Sequence, residues 1–336
     1  MPKPGLPRPG RLNLITDVPG LLVGSATDER AQSGVTTLLC PGGWRGGVDV
    51  RGGGPGVRES ETLSPENSVG QAHAIVLAGG SVFGLGAADG VAAVLSARGE
   101  GLQVRPGLKP VPIVPSAILF DLANPGDKNW GLEPPYRALG MASVGAAAQA
   151  FDLGSVGAGR GAMAGLRKGG LGSASLDLGD GLIVGALVAV NPVGSVFMAD
   201  GETFWAWPFE IDGEFGGRRP KSPEPAIDPS PEHSRLAALG RLTPGANTTI
   251  AVVACSADLS TAECKRVAMM AQDGLARAVR PAHTPFDGDT VFAVAGGQLG
   301  LGQDRERQGW VARIGSAAAD CLARAIARGV YEAERP

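Results

Sequence analysis

Two strand-like runs near the C-terminus, Thr249 to Ser256 and Thr290 to Ala295, are separated by a single helix-forming segment. Ser260-x-x-Glu263 reads as a capping box that starts this helix. Cys264, Val267, Ala268, Ala271 and Leu275 then recur on one helical face, and the helix stops near Arg280-Pro281. Two strands joined by one helix lie parallel in the same sheet, so their starting ends share one edge. Thr248 opens the first strand and Asp287-Gly288-Asp289 immediately precedes the second. Residues far apart in sequence are therefore expected to meet. A last helix, Trp310 to Glu332, carries Val311, Ile314, Ala318, Cys321, Leu322, Ala325 and Ile326 in helical register.

Upstream, Leu21 to Val23, Val35 to Cys40, Ala74 to Ala78 and Leu182 to Val190 read as strands, and Ala87 to Ala97 and Tyr136 to Ala150 as helices. Val111 to Asp121 reads as an extended segment whose prolines suit a sheet edge. Arg167 to Ser175 reads as a glycine-rich loop carrying two cations. Gly52-Gly53-Gly54 marks a place where backbone can approach something closely. Asn191, before Pro192, is presented at a strand end, a position that also suits turn-making. Residues 1–12 are rich in Pro, Gly and Arg and are expected to form a mobile arm, with 13–336 as one domain. Glu210 to Asn247 is a long polar, proline-rich loop with a short helical piece near Ser234 to Leu239. Loops longer than about a dozen residues are functional or disordered, and this one leads straight to Thr248.

Composition removes several function classes. A net charge of −3 disfavours a broad nucleic-acid surface. The four cysteines, Cys40, Cys255, Cys264 and Cys321, sit in apolar segments and read as small buried hydrophobes. His73, His233 and His283 show no metal-ligand spacing. Gly84-x-Gly86-x-x-Asp89 breaks the dinucleotide fingerprint, Gly157-x-Gly159-x-x-Ala162 follows no clear strand, and Ser81 lacks the flanks of a nucleophile elbow. No cofactor is expected. Without a signal-peptide core or a run of about 18 apolar residues, a soluble cytoplasmic setting is expected.

The meeting expected at the strand starts has a chemical reading. A threonine hydroxyl needs a base before it attacks. Cutting the Asn247–Thr248 bond would expose an α-amine, of pKa about 7.7–8.0, beside its own Oγ1. Asp287 and Asp289 could align the amine and hydroxyl or bind a substrate ammonium, and two close carboxylates raise each other's proton affinity. Oxyanion donors could come from Asn191 and from N–H groups of the glycine loops. The same residues also suit plainer roles: Thr248-Thr249 as strand starters and Asp287-Gly288-Asp289 as a solvated turn.

An ordered set of motifs spans nearly the whole chain after the first dozen residues. It runs from Ile15-Thr16-Asp17-Val18-Pro19-Gly20 through Val48-Asp49-Val50-Arg51-Gly52-Gly53 and Pro55-Gly56 to Leu77-Ala78-Gly79-Gly80-Ser81 and Phe83-Gly84-Leu85. Pro112-Ile113-Val114-Pro115, Phe120-Asp121-Leu122, Gly157-Ala158-Gly159 and Lys168-Gly169-Gly170-Leu171-Gly172 follow. Asn191-Pro192-Val193-Gly194, Asn247-Thr248-Thr249 and Asp287-Gly288-Asp289-Thr290 complete it. In this order the set resembles the DmpA-like L-aminopeptidase/D-amino-acid esterase family, whose relatives include β-peptidyl aminopeptidases and the nylon-oligomer hydrolase.

The resemblance implies an α/β fold, a four-layer αββα sandwich. It also implies autocleavage into an α chain 1–247 and a β chain 248–336, and assembly of α/β pairs into a homo-oligomer. Thr248 matches the nucleophile, Asn191 the oxyanion or substrate-binding asparagine, and Asp287 and Asp289 the paired residues beside the nucleophile. Gly79, Gly80, Ser81, Phe120 and Lys168 are the further substrate- or oxyanion-binding candidates. Phe120 stands where some members have a tyrosine, and Leu166 where some have a lysine, with Arg167 and Lys168 following. The implied activity is release of N-terminal residues from small peptides, amides or esters. The alternatives are an amidase for ω-amino-acid oligomers, an acyltransferase on the same fold, and a non-catalytic binding protein.

Overall fold

A computed structural model describes residues 6–221, 228–229, 231–238 and 247–335. Residues 1–5 of the expected arm, and 222–227, 230 and 239–246 of the expected loop, lie outside the described residues. The elements are β1 (Leu22–Asp28), β2 (Ser33–Val50), β3 (Val57–Arg58), β4 (Gln71–Ala78), α1 (Ala87–Ala97), β5 (Ser116–Ile118), α2 (Tyr136–Gly145), β6 (Met163–Ala164), β7 (Arg167–Lys168), β8 (Gly170–Asp177), β9 (Ile183–Asn191), β10 (Thr248–Ala257), α3 (Thr261–Ala278), β11 (Thr290–Leu299) and α4 (Asp304–Glu334).

The main strands form one hydrogen-bonded path, β3-β5-β4-β2-β11-β10-β9-β8, with β1 added on β2. The path folds over along β2. The first part of this strand pairs with β1 and β4, and its last part, Arg45 to Val50, pairs with β11. Gly42 and Gly43, at φ 80° and 82°, lie between the two parts, where the pairing with β4 also shifts register. Two sheet layers result, and the alternation of side chains along each strand sorts them into three cores. Ile250, Val252, Ala254, Phe292 and Val294 meet Leu38, Ile75 and Leu77 between the layers. Ala251, Val253, Val291 and Ala293 face the other way, against α3 and α4. Val35, Ala74 and Val76 pack under α1 and α2. This is the expected four-layer αββα order. The free cysteines are all buried, and burial pushes the Cys255 and Cys321 thiols up to about 12.

Three expectations need correction. The stretch from Arg167 to Ser175 is not a loop: it forms β7 and most of β8. Its glycines serve close packing, because a Cβ at Gly172 would lie 1.9 Å from the Ala325 carbonyl oxygen in α4, and one at Gly170 would lie 2.2 Å from that of Gly329. The helix from Tyr136 stops at Gly145, because Ala148 exchanges backbone hydrogen bonds with Val23 of β1, both 3.0 Å. Of Val111 to Asp121 only Ser116–Ile118 is strand, and it lies between β4 and β3 and so does not form the edge. Within the expected arm, Arg8 pairs with Asp177, and Gly10 N–H donates to Ser175 Oγ at 3.1 Å.

Gly172→Ala is expected to lower unfolding stability by about 1–3 kcal/mol, through overpacking against α4. Gly145→Ala, whose Cβ would meet nothing within 4 Å, is expected to be neutral or stabilising by up to about 1 kcal/mol. Urea unfolding of both variants against the parent chain measures the contrast.

Candidate active site at the Asn247–Thr248 junction

Strand β10 runs parallel to β11, with Ile250 opposite Thr290, and antiparallel to β9, with Thr248 opposite Asn191. The expected meeting follows. Asn247 bridges to Asp287 in the parallel sense, three residues ahead of the β10–β11 ladder and in the same register. The Gly288 N–H points at the junction, 2.9 Å from the Asn247 carbonyl oxygen and 3.1 Å from Thr248 Oγ1. The Thr248 hydroxyl in turn donates to the Asn247 carbonyl oxygen. Thr248 and Asn247 are each 1% exposed, so the intact junction is closed to solvent.

Glycine is required at 288, because a Cβ there would lie 2.7 Å from Thr248 Oγ1 and 2.7 Å from the Gly54 carbonyl oxygen. The triple glycine lines the other side of this turn. Gly54 N–H donates to the Asp287 carbonyl at 2.8 Å, Arg51 N–H to that of Asp289 at 3.0 Å, and a Gly52 Cβ would lie 2.3 Å from the Asp289 nitrogen. The close backbone approach read from the sequence is thus against Asp287-Gly288-Asp289.

Both carboxylates are buried. Asp289 accepts from Thr249 N–H at 2.9 Å, and from the His283 N–H and Nδ1 at 3.0 and 2.9 Å. Asp287 accepts from Val193 N–H at 2.9 Å, and from Thr284 N–H and Oγ1 at 3.0 and 2.5 Å. Burial first, and the Asp289 charge second, raise the Asp287 carboxyl to about 6. Neither carboxylate bonds Thr248 Oγ1; each holds a backbone segment flanking the junction.

Asn191 ends β9 with its amide turned inward. Its Oδ1 accepts from Met163 N–H at 2.9 Å, and its Nδ2 donates to the Phe120 carbonyl at 3.2 Å. Phe120 thus reaches the site through its backbone. The Gly79, Gly80 and Ser81 N–H groups are engaged elsewhere, with the Gly34 carbonyl, the Asp121 carboxylate and the Leu119 carbonyl at 2.9, 2.7 and 2.9 Å. As oxyanion donors they are therefore already taken. Lys168 is exposed on β7, and Arg167 pairs with Glu334 at the end of α4.

The cation that does reach the junction is Arg235, from the loop ahead of it. Its guanidinium donates to Asn247 Oδ1, to the Gly165 and Met163 carbonyls at 2.8 and 2.7 Å, and to Asn191 Oδ1 at 3.4 Å. The only sequence signal for it was the loop's length and its short helical piece, which appears as a 3-10 turn at Arg235–Ala238. Among the described residues no three His, Cys, Asp or Glu side chains are grouped to hold a metal.

The model of peptidase family S58 matches residues 13–335. A Mycobacterium tuberculosis protein described as an uncharacterized aminopeptidase is 44% identical, over 96% of this chain and 95% of its own. The 6-aminohexanoate-oligomer endohydrolase of Paenarthrobacter ureafaciens is 32% identical, over 87% of this chain and 77% of its own. Among solved structures, the L-aminopeptidase D-Ala-esterase/amidase of Ochrobactrum anthropi superposes with a TM-score of 0.68 at 19% identity, covering 97% of this chain and 88% of that one. A Burkholderia sp. β-aminopeptidase superposes with a TM-score of 0.66 at 23% identity, with the same coverage. These likenesses agree with the family resemblance carried by the motifs. The chain belongs to peptidase family S58, is a hydrolase, and shares the fold of the Ochrobactrum anthropi enzyme, which is described as a variant of the Ntn hydrolase fold.

Proposed function

We propose that the chain is a self-processing aminopeptidase or amidohydrolase whose nucleophile is Thr248. The observation that carries this reading is the single Gly288 N–H set against both the Asn247 carbonyl oxygen and Thr248 Oγ1. In self-cleavage, Thr248 Oγ1 attacks the Asn247 carbonyl carbon. Gly288 N–H steadies the negative oxygen, and the Thr248 nitrogen leaves as an amine after taking the hydroxyl proton. Water then hydrolyses the resulting ester, which ends the α chain at Asn247 and frees the β chain at Thr248.

The freed amine serves as base for its own hydroxyl when a substrate carbonyl takes the vacated place. An acyl-enzyme forms, the substrate's leaving amine departs with a proton, and water releases the acid. Asn191 Nδ2 has a second N–H beyond the one given to Phe120, and that N–H supplies an oxyanion donor. Asp287 and Asp289 fix the backbone around Thr248. They also supply negative charge suited to a substrate ammonium.

The mycobacterial relative, described as an uncharacterized aminopeptidase, supports aminopeptidase activity, and small peptides, amides or esters are the substrates we assign to this chain. The 6-aminohexanoate-oligomer endohydrolase relative supports a second reading, an amidase acting on oligomers of ω-amino acids. Among the described residues no helix is long and apolar enough to cross a membrane. The four free, buried cysteines suit the reducing cytoplasm, where we place the enzyme as a homo-oligomer of α/β pairs.

Intact mass of the purified protein is expected to show two fragments meeting at Asn247/Thr248. Thr248→Ala is expected to give one uncut chain, with activity on aminoacyl amides reduced by more than about 10³-fold. An uncut, fully active wild type would end this reading. Release of product from L-, D-, β- and ω-aminoacyl amides separates the two substrate classes, and transfer of the acyl group to an added amine would reveal acyltransferase chemistry.

The raised Asp287 carboxyl gives a pH signature. In the fold it keeps its proton up to about 6, above its unfolded value of 3.8. Its contribution to stability is therefore full below pH 3.8 and is lost as pH rises through about 6. Asp287→Asn mimics the protonated form and should remove that loss. In the Thr248→Ala background, the Tm of the Asn variant relative to its parent is expected to climb between pH 4 and 7. Parallel Tm profiles would refute the assignment.

A further inference from the structure

The mechanism above leaves one half-buried charge beside the junction unused. Arg235 lies twelve residues before the junction, yet its guanidinium is directed back onto the residue whose carbonyl would be attacked. Its own segment is fastened to the body independently of the junction. Arg235 N–H donates to the Val193 carbonyl at 2.9 Å, and Leu166 N–H donates to the His233 carbonyl at 3.2 Å. Nε and one Nη anchor on the Gly165 and Met163 carbonyls, which leaves the other Nη for Asn247 Oδ1. Among the described residues the buried Asn247 Nδ2 has no hydrogen-bond partner, so this contact is what fixes the Asn247 side chain. Burial lowers Arg235 to about 10, opposed by Asp287, so the group stays charged at neutral pH. A planar fork with its other donors pre-anchored is well suited to hold one acceptor in place, as an ammonium on a flexible stem is not.

We propose that Arg235 is a positioning residue for self-cleavage: by clamping the Asn247 side chain, it holds the scissile carbonyl against Thr248 Oγ1 and the Gly288 N–H. This rests on the self-processing reading above. The clamp acts on the residue that becomes the end of the α chain. Its effect therefore belongs to the cutting step, and Asn247 is the residue through which it acts.

The test follows the appearance of the 248–336 fragment by intact mass, after rapid purification of wild type, Arg235→Gln, Asn247→Ala and the double variant. Circular dichroism and thermal melting check the fold of each. Each single substitution is expected to slow cutting by at least about tenfold, the loss typical of a hydrogen bond to a charged group. The double variant is expected to cut no more slowly than Asn247→Ala alone, since the clamp has nothing left to hold. Arg235→Lys, which keeps the charge without the fork, is expected to be slowed as well, and it carries the test if Arg235→Gln does not fold. Cutting of both folded Arg235 variants at the wild-type rate would overturn the clamp and leave self-processing intact. Independent, multiplying effects in the double variant would also overturn it, because they would mean that Arg235 acts only through Met163, Gly165 and Asn191. An uncut wild type would overturn the self-processing reading itself, and the clamp with it.

Discussion

The parallel pairing of β10 with β11 is the constraint on which the rest of the site depends. It sets Ile250 opposite Thr290, and so brings the residues just ahead of each strand to one sheet edge. Everything else at the junction is fitted to that meeting. Gly52 to Gly54 close over the Asp287-Gly288-Asp289 turn with backbone alone, and β9 delivers Asn191 opposite Thr248. A shift of one residue in the β10–β11 register would move the Gly288 N–H away from the Asn247 carbonyl. It would also turn the alternating apolar residues of β10 into the wrong cores.

Two carboxylates side by side in a dry turn oppose one another, and their placement makes sense only by what they hold. Each accepts three hydrogen bonds from protein groups, and these join strand β10, the turn after β9 and the loop before β11. Such bonds favour the charged form, whereas burial and mutual repulsion favour the neutral one. For Asp287 the second effect wins, and its carboxyl rises to about 6. The Asp287 carboxyl therefore changes charge not far below neutrality, in a turn whose Gly288 N–H bonds Thr248 Oγ1.

The part of the chain after Thr248 was the most legible, for physical reasons. Its capping box, helical apolar stripe and β-branched strands are local signals that tertiary packing reinforces. The meeting of Thr248 with the two aspartates followed from order alone. The glycine-rich stretch around Gly170 was misread because composition does not separate glycine used for turning from glycine used for close packing; the adjacent α4 backbone decides it. The N–H groups of Gly79 to Ser81 looked available, but their partners, such as Asp121, are distant in sequence. Arg235 was invisible for a similar reason. One arginine in a polar loop carries no periodicity, and its partners Met163, Gly165, Asn191 and Asn247 come from three other parts of the chain.

Strand β10 is an interior strand, bonded to β9 on one side and β11 on the other, with its side chains in two separate cores. A break at its first residue would leave all of those contacts standing. The two pieces would remain a single folding unit, because two of the three cores draw residues from both. The order of events in the life of the molecule would then be fixed. Assembly would have to come before scission, since the groups proposed to promote it are brought together only by the finished sheet. The break would thus act as a built-in inspection of the fold, passed only by chains whose layers have closed correctly.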